Sequence, residues 1–252
     1  GIGVAKLAVV AVCAAYALSL GPVRTGAPLA VSKVVLDRDG RLLRAYATKE
    51  GRWRLPADIP DVDPRFLKLL FSYEDKRFYE HAGVDPLALL RAAKQLVENR
   101  EIISGGSTLT MQVARLLEPR RQRSISAKLH QIARALELEW KLSKPQILSL
   151  YLTLAPYGGN LEGVRAASLA YFGKEPKRLT LGEAALLVAL PQSPELRRPD
   201  RHAEAARAAR DRVLDRAAKA GVVPRDEIAH AKSEPVPHRR VPMPVFAPHS
   251  DR

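Results

Sequence analysis

The sequence predicts a mainly α-helical domain with a small N-terminal β appendix, preceded by an apolar N-terminal helix. Three observations predict it. Apolar residues recur at three- and four-residue spacing from Asp63 to about Gly221. Short β-prone runs punctuated by Asp39-Gly40 and Glu50-Gly51 come before that block. The chain opens on GIGVAKLAVVAVCAAYALSLG, apolar from Leu7 to Leu20 apart from Ser19.

Residues 1–21 read as a transmembrane anchor with Lys6 near enough to an end to snorkel. The run is short beside the about 20 residues of a full span, so a cleaved signal core of about 7 to 15 residues competes with the anchor. Either reading takes the chain out of the cytoplasm. Residues 22–62 read as a linker and short β-hairpin around VVLDRDGRLLRAYATKEGRW. Residues 63–222 form the helical domain, with helices in PRFLKLLFSYEDKRF, STLTMQVARLLE, SAKLHQIARALELEWKL, PQILSLYLTL and LTLGEAALLVALP. Their breaks fall at Asp85-Pro86, Gly105-Gly106, Ser143-Lys144-Pro145, Pro156-Tyr157-Gly158-Gly159 and Pro191-Gln192-Ser193-Pro194. A charged helix, HAEAARAARDRVLDRAAKAG, ends near Gly221. Residues 223–252 read as a helix end and a Pro-rich extended linker that cannot build a core alone and leads toward a further domain.

Lys plus Arg number 41 against 27 Asp plus Glu, a net charge of +14 that favours a polyanionic partner: nucleic acid, an anionic membrane or a phosphorylated ligand. Charge does not choose among them. The single cysteine, Cys13, excludes an internal disulfide framework and a multi-thiolate zinc site.

Two stretches carry candidate chemistry. In SYEDKRFYEHAGVD, a continuous helix would put Glu74, Phe78 and His81 on one face and turn Asp75 about 100° aside, so the two acids would not face each other as a pair. The competing reading packs Phe78 inward, makes His81 a helix-end residue near Gly83 and leaves Glu74 on the surface. In SGGSTLTMQVAR, a helix start offers backbone N–H groups to a phosphate, with Ser107, Thr108, Gln112 and Arg115 beside it. An ordinary N-cap after a glycine turn competes with that reading. No Walker lysine follows the glycines. Between the two stretches, DPLALLRAAKQLVENREII has the pattern of an interfacial helix or of a core-packed one.

Taken in order, EDKRFYEHAGVD, GGSTLTMQ, AKLHQIARALELE, ILSLYLTLAPYGG and EAALLVALPQSP resemble the successive motifs of the peptidoglycan glycosyltransferases, the lysozyme-like family 51 domains of class A penicillin-binding proteins, in their 1C-like branch. The resemblance implies a lysozyme-like glycosyltransferase that polymerises lipid II into β-1,4 glycan strands, with inversion and release of undecaprenyl pyrophosphate. It implies Glu74 as the general base, Asp75, Phe78 and His81 as neighbours shaping its site, and Ser107, Thr108, Gln112, Arg115 and Lys128 as donor-binding positions. The implied partners are lipid II, the growing glycan strand, the cytoplasmic membrane with the domain on its outer face, and other cell-wall synthesis proteins, but no nucleic acid. The segment between the first two motifs becomes a jaw that dips into the bilayer.

The chemistry agrees with one acid. A pyrophosphate leaves readily and needs charge stabilisation more than protonation, whereas a glycosidase usually needs a second carboxylate across the bond.

This chain departs from the family at the third motif, where Gln131 stands for the usual second glutamate and Ala127 for an arginine. An amide does not hold a cation as a carboxylate does, so no cofactor is expected to be required, and dependence on a divalent cation (Mg or Mn) is doubtful. Glu137 and Glu139 are the fallback acids, with solvated helix-face charge as the competing reading. Ser149 and Thr153 replace glutamate and asparagine in the fourth motif, whose helix is expected to be a structural support. Ser-x-x-Lys and Lys-Thr-Gly are lacking, so no β-lactam binding is expected of these residues. The rival to an enzyme is a membrane-tethered basic protein that binds glycan or another polyanion with weak or no turnover.

Overall fold

The computed structural model describes residues 29–88, 90, 106–118 and 125–245. The N-terminal anchor and most of the proposed jaw segment lie outside the described residues. Among the described residues no helix is long and apolar enough to cross a membrane. The chain divides into two compact units, one within residues 77–148 and one made of residues 29–76 with the chain from 149 onward.

The second unit begins with the β appendix. Strand β1 (Val34–Leu36) pairs antiparallel with β2 (Leu42–Ala45), and Gly40 takes a positive φ of 77° in the turn between them, as Asp39-Gly40 predicts. The next short strand is not part of that hairpin. Strand β3 (Trp53–Arg54) runs parallel to β4 (Leu161–Glu162), and Arg54 Nε donates to Glu162 Oε2 at 2.5 Å. The appendix is thus stitched into the helical body by a pair of two-residue strands too short to leave a sequence signal.

Helix α1 (Pro64–Glu74) starts where Asp63 accepts the Arg65 N–H and Pro64 opens the first turn, and it buries Phe66, Leu69 and Leu70. Helix α6 (Leu181–Ala189) is the centre of this unit. Thr180 and Glu183 form a capping box at its start, and every residue except Glu183 is buried, which marks a helix covered on all sides. Helices α1, α5 (Val164–Phe172), α7 (Ala203–Lys219) and α8 (Arg225–Ser233) all pack on it. Arg210, 1% exposed, donates to the carbonyls of Glu234 and Lys232 and so ties α7 to the end of α8. A buried guanidinium is tolerable there because its donors meet backbone acceptors and Asp211.

The chain after α8 is extended, as expected, but it is not free. Val241 N–H bonds to Ala170 O at 2.7 Å, Arg240 donates to Gly158 O at 2.9 Å and pairs with Asp200, and Val245 bridges Arg44 of β2.

The first unit is built on α2 (Leu109–Leu117) packed against α3 (Ile125–Lys141), followed by the start of α4 (Lys144–Leu154). One expectation fails here. Helix α1 ends at Glu74, so residues 75–83 are turns and the shared helical face for Glu74, Phe78 and His81 does not exist. Asp75 closes the last turn onto Phe71 O and leaves it with φ −158°, ψ 79°. The turns that follow bury Phe78 and bring Arg77 onto Asp85 through a two-pronged ion pair. Burial works against the Asp85 charge, but the Arg77 and Ala88 hydrogen bonds win and hold its carboxyl below the usual range.

Candidate active site

In the second unit Glu74 is the last residue of α1 and is half-buried. Its Oε1 accepts a hydrogen bond from Gln192 Nε2 at 2.7 Å. Gln192 Oε1 in turn accepts from Arg197 Nη1 at 3.1 Å and faces Tyr73 OH at 3.4 Å. Arg197 Nη1 also donates to Ala189 O, the last carbonyl of α6, at 2.7 Å. Arg216 lies over the Tyr73 ring at 4.8 Å. Asp75, 7% exposed, caps α1 through its backbone.

In the first unit the remaining predicted residues other than Gln112 fall into two groups. Ser107, Arg115, Lys128 and Gln131 form one of them. Lys128 Nζ donates to Ser107 Oγ at 2.5 Å and to Gln131 Oε1 at 3.3 Å, while Gln131 Nε2 donates to Met111 O at 2.8 Å. Burial and then repulsion from Arg115 pull the Lys128 ammonium below the usual lysine pKa. Both amide ends of Gln131 are therefore used, one on a cation and one on a helix carbonyl, and a carboxylate could not make the second bond.

Thr108, Phe78 and His81 form the other group. The Thr108 hydroxyl caps α2 by accepting from Met111 N and donates to Gly83 O at 2.6 Å, so the N-cap reading holds for it. Phe78 is buried under the Lys144 ammonium, 4.6 Å from its ring centre, and makes edge contacts with Tyr79 and His81. The inward-packing reading of Phe78 therefore holds, whereas His81 ends no helix. His81 Nδ1 accepts from Gly83 N–H at 3.2 Å. Gln112 sits half-buried on α2, with its N–H bonded to Thr108 O.

The fallback acids are not solvated helix-face charge. Glu137 bridges Arg134 and Lys141, and Glu139 accepts from Thr110 at 2.5 Å and Lys144 at 2.7 Å. Thr153, 7% exposed, accepts from Ala57 N and supports the core as expected. Among the described residues no group of three or more His, Cys, Asp or Glu side chains is placed to hold a metal. The donor set around Lys128, with two cations, a hydroxyl and an amide, suits an anion.

Sequence reasoning missed Gln192 and Arg197. The PQSP break contains Gln192, so its place was visible, but nothing local tied it to Glu74 at a separation of 118 residues.

The chain belongs to the transglycosylase family, whose model matches residues 39–218. Its relatives place it with the peptidoglycan glycosyltransferase domains of class A penicillin-binding proteins. It is 49% identical over 217 residues to penicillin-binding protein 1C of Escherichia coli strain K12, covering 86% of this chain and 28% of that protein. It is 36% identical over 202 residues to penicillin-binding protein 1A of Vibrio cholerae serotype O1, covering 80% of this chain and 24% of that protein. A crystal structure of penicillin-binding protein 1A from Haemophilus influenzae has a TM-score of 0.47 and 19% identity, covering 86% of this chain and 22% of that one. The chain thus spans about a quarter of the length of the curated relatives it matches.

Proposed function

We propose that this chain polymerises lipid II into β-1,4 glycan strands with inversion, on the outer side of the cytoplasmic membrane, releasing undecaprenyl pyrophosphate. The observation that carries this reading is the Glu74 carboxylate in the first family motif, accepting a neutral amide on Oε1. As a carboxylate it can take a proton. Glu74 removes the proton of the acceptor 4-hydroxyl as that oxygen attacks the anomeric carbon of the donor, and the carbon–oxygen bond to pyrophosphate breaks. Arg115 and Lys128 offset the charge that develops on the leaving pyrophosphate, with Ser107 and Gln112 as further donors to the substrate. Asp75, Phe78, His81 and Thr108 act by shaping the backbone around these groups.

Gln131 supports a donor subsite that works without a divalent cation, because it leaves Lys128 hydrogen-bonded but not neutralised. Membrane attachment rests on residues 1–21, and an exposed apolar stripe on α3 of Leu129, Leu136 and Trp140 (85% exposed) supports contact with lipid. Lipid II and the glycan strand are the substrates, with other cell-wall synthesis proteins rather than nucleic acid as the partners that the family implies.

The test is polymerisation of lipid II by the purified chain, with and without chelator. Polymer should form in both arms, and Glu74→Gln should lower turnover by more than about 100-fold while lipid II still binds. Binding without polymer in the unsubstituted protein would give instead the tethered binder.

A further inference from the structure

We propose that Gln192, oriented by Arg197, is a positioning residue that holds Glu74 in its proton-accepting state. The proposal rests on Glu74 being the base and adds the device that keeps it one. A side-chain amide has two unlike ends, and which end faces which neighbour follows from the partners. Arg197 has donors only, so the end of Gln192 that meets Arg197 Nη1 must be the oxygen. Tyr73 OH donates to the same oxygen. The NH₂ end is thereby directed at Glu74 Oε1, 2.7 Å away. A donor on Oε1 favours the charged, proton-accepting form of the carboxyl over the neutral one.

The relay is anchored. Arg197 Nη1 is held by Ala189 O, and the carbonyl belongs to the fully buried end of α6. Arg197 is itself half-buried, with the Arg212 charge nearby. Gln192 sits on the surface, in a short 3₁₀ turn (Leu190–Gln192) that runs on from α6, where packing alone would leave an amide free to rotate. The anchored guanidinium removes that freedom. A glutamine is also the right choice at this place, since a carboxylate there would set a like charge against Glu74 and supply no donor to it.

Three substitutions in the full chain test this, read as kcat, KM for lipid II and the acidic limb of the pH–rate profile. Gln192→Ala should lower kcat about tenfold with KM for lipid II changed less than about twofold, because the interaction orients the base and does not touch the donor. Its acidic limb should move to higher pH, since the carboxylate loses a donor that favours its charged form. Gln192→Glu should move the limb further in the same direction, as a like-charge neighbour adds to the lost donor. Arg197→Ala should give a smaller shift, because the amide remains but can turn over. Thermal melting of each variant reports folding separately. A melt unchanged beside a profile that superimposes on the parent in both Gln192 variants would overturn the relay, as would a change confined to KM. Turnover that survives in Glu74→Gln would instead remove the base assignment, an outcome the Gln192 variants alone do not produce.

Discussion

Helices α3 and α6, one from each unit, solve burial in opposite ways. Helix α6 buries leucine, valine and alanine on all sides and admits one acid, Glu183, only to cap its start. Helix α3 buries His130 and Arg134 beside Ala133, Ala135 and Leu138, while Leu129, Leu136 and Trp140 face outward. Its polar side chains form a chain: Glu118 meets His130 at 2.8 Å and Arg134 at 3.1 Å, and Glu137 meets Arg134 and Lys141 at 2.7 Å each. The difference teaches where each unit's rigidity comes from. In the unit that carries Glu74, α6 rests on close-packed hydrocarbon, which is insensitive to charge state. The unit that carries Lys128 rests on ion pairs, which hold only while every member has its partner.

The largest effect should come from breaking that ionic chain. Arg134→Met leaves Glu118 and Glu137 without their shared partner in a setting where Arg134 is 5% exposed, and it should cost about 3 kcal/mol. Hydrogen exchange should quicken across Ile125–Lys141 and stay unchanged across Leu181–Ala189. Equal loss of protection in both helices would show that the two forms of burial are not separable.

A smaller effect belongs to the loop that α3 closes. Gly83 has φ 88°, and a Cβ there would stand 2.7 Å from Ala135 O, a backbone atom that cannot swing away. Gly83→Ala should cost about 2 kcal/mol by thermal or denaturant melting, part from the left-handed backbone and part from the displaced helix contact. It should also disturb the Thr108 cap, because the Thr108 hydroxyl donates to the Gly83 carbonyl. A cost under about 0.5 kcal/mol, typical of an ordinary surface site, would mean that this corner yields and that the ionic unit is the softer of the two.

The smallest effect is electrostatic. In the proposed role of Lys128 only its ammonium form would bind pyrophosphate, and its pKa is lowered by burial and by Arg115. The alkaline limb of kcat/KM should therefore fall at a lower pH than an ordinary lysine would give. Arg115→Ala should reduce kcat/KM about tenfold through the lost charge-assisted contact. The same substitution should shift the alkaline limb to higher pH, because the repulsion on Lys128 is gone. A limb that moves the other way would break the assignment of that titration to Lys128.

Much of this was legible in local sequence. Asp63-Pro64, Thr108 and Thr180 with Glu183 announce helix starts, because a cap acts within one turn. The hairpin at Asp39-Gly40 is equally local. Helical periodicity misled at Glu74, since it extended α1 through Phe78 and His81. The demand that ended the helix, burial of Phe78 and pairing of Arg77 with Asp85, is tertiary. Glu137 and Glu139 misled for a different reason: a helix-face acid looks solvated, yet its cations, Arg134 and Lys141 for Glu137 and Lys144 for Glu139, are sequence neighbours.

The sequence by itself determined the family, the helix starts and the identity of the proposed base, because motif order and capping are written in neighbouring residues. Only the tertiary structure decided what holds those groups. Gln192 reaches Glu74 across 118 residues, β3 meets β4, and Gln131 divides its two ends between Lys128 and Met111. Each of these depends on which side chains the packed backbone brings within 3 to 4 Å, roughly the range where hydrogen bonds and ion pairs act, and no period in the sequence encodes that distance.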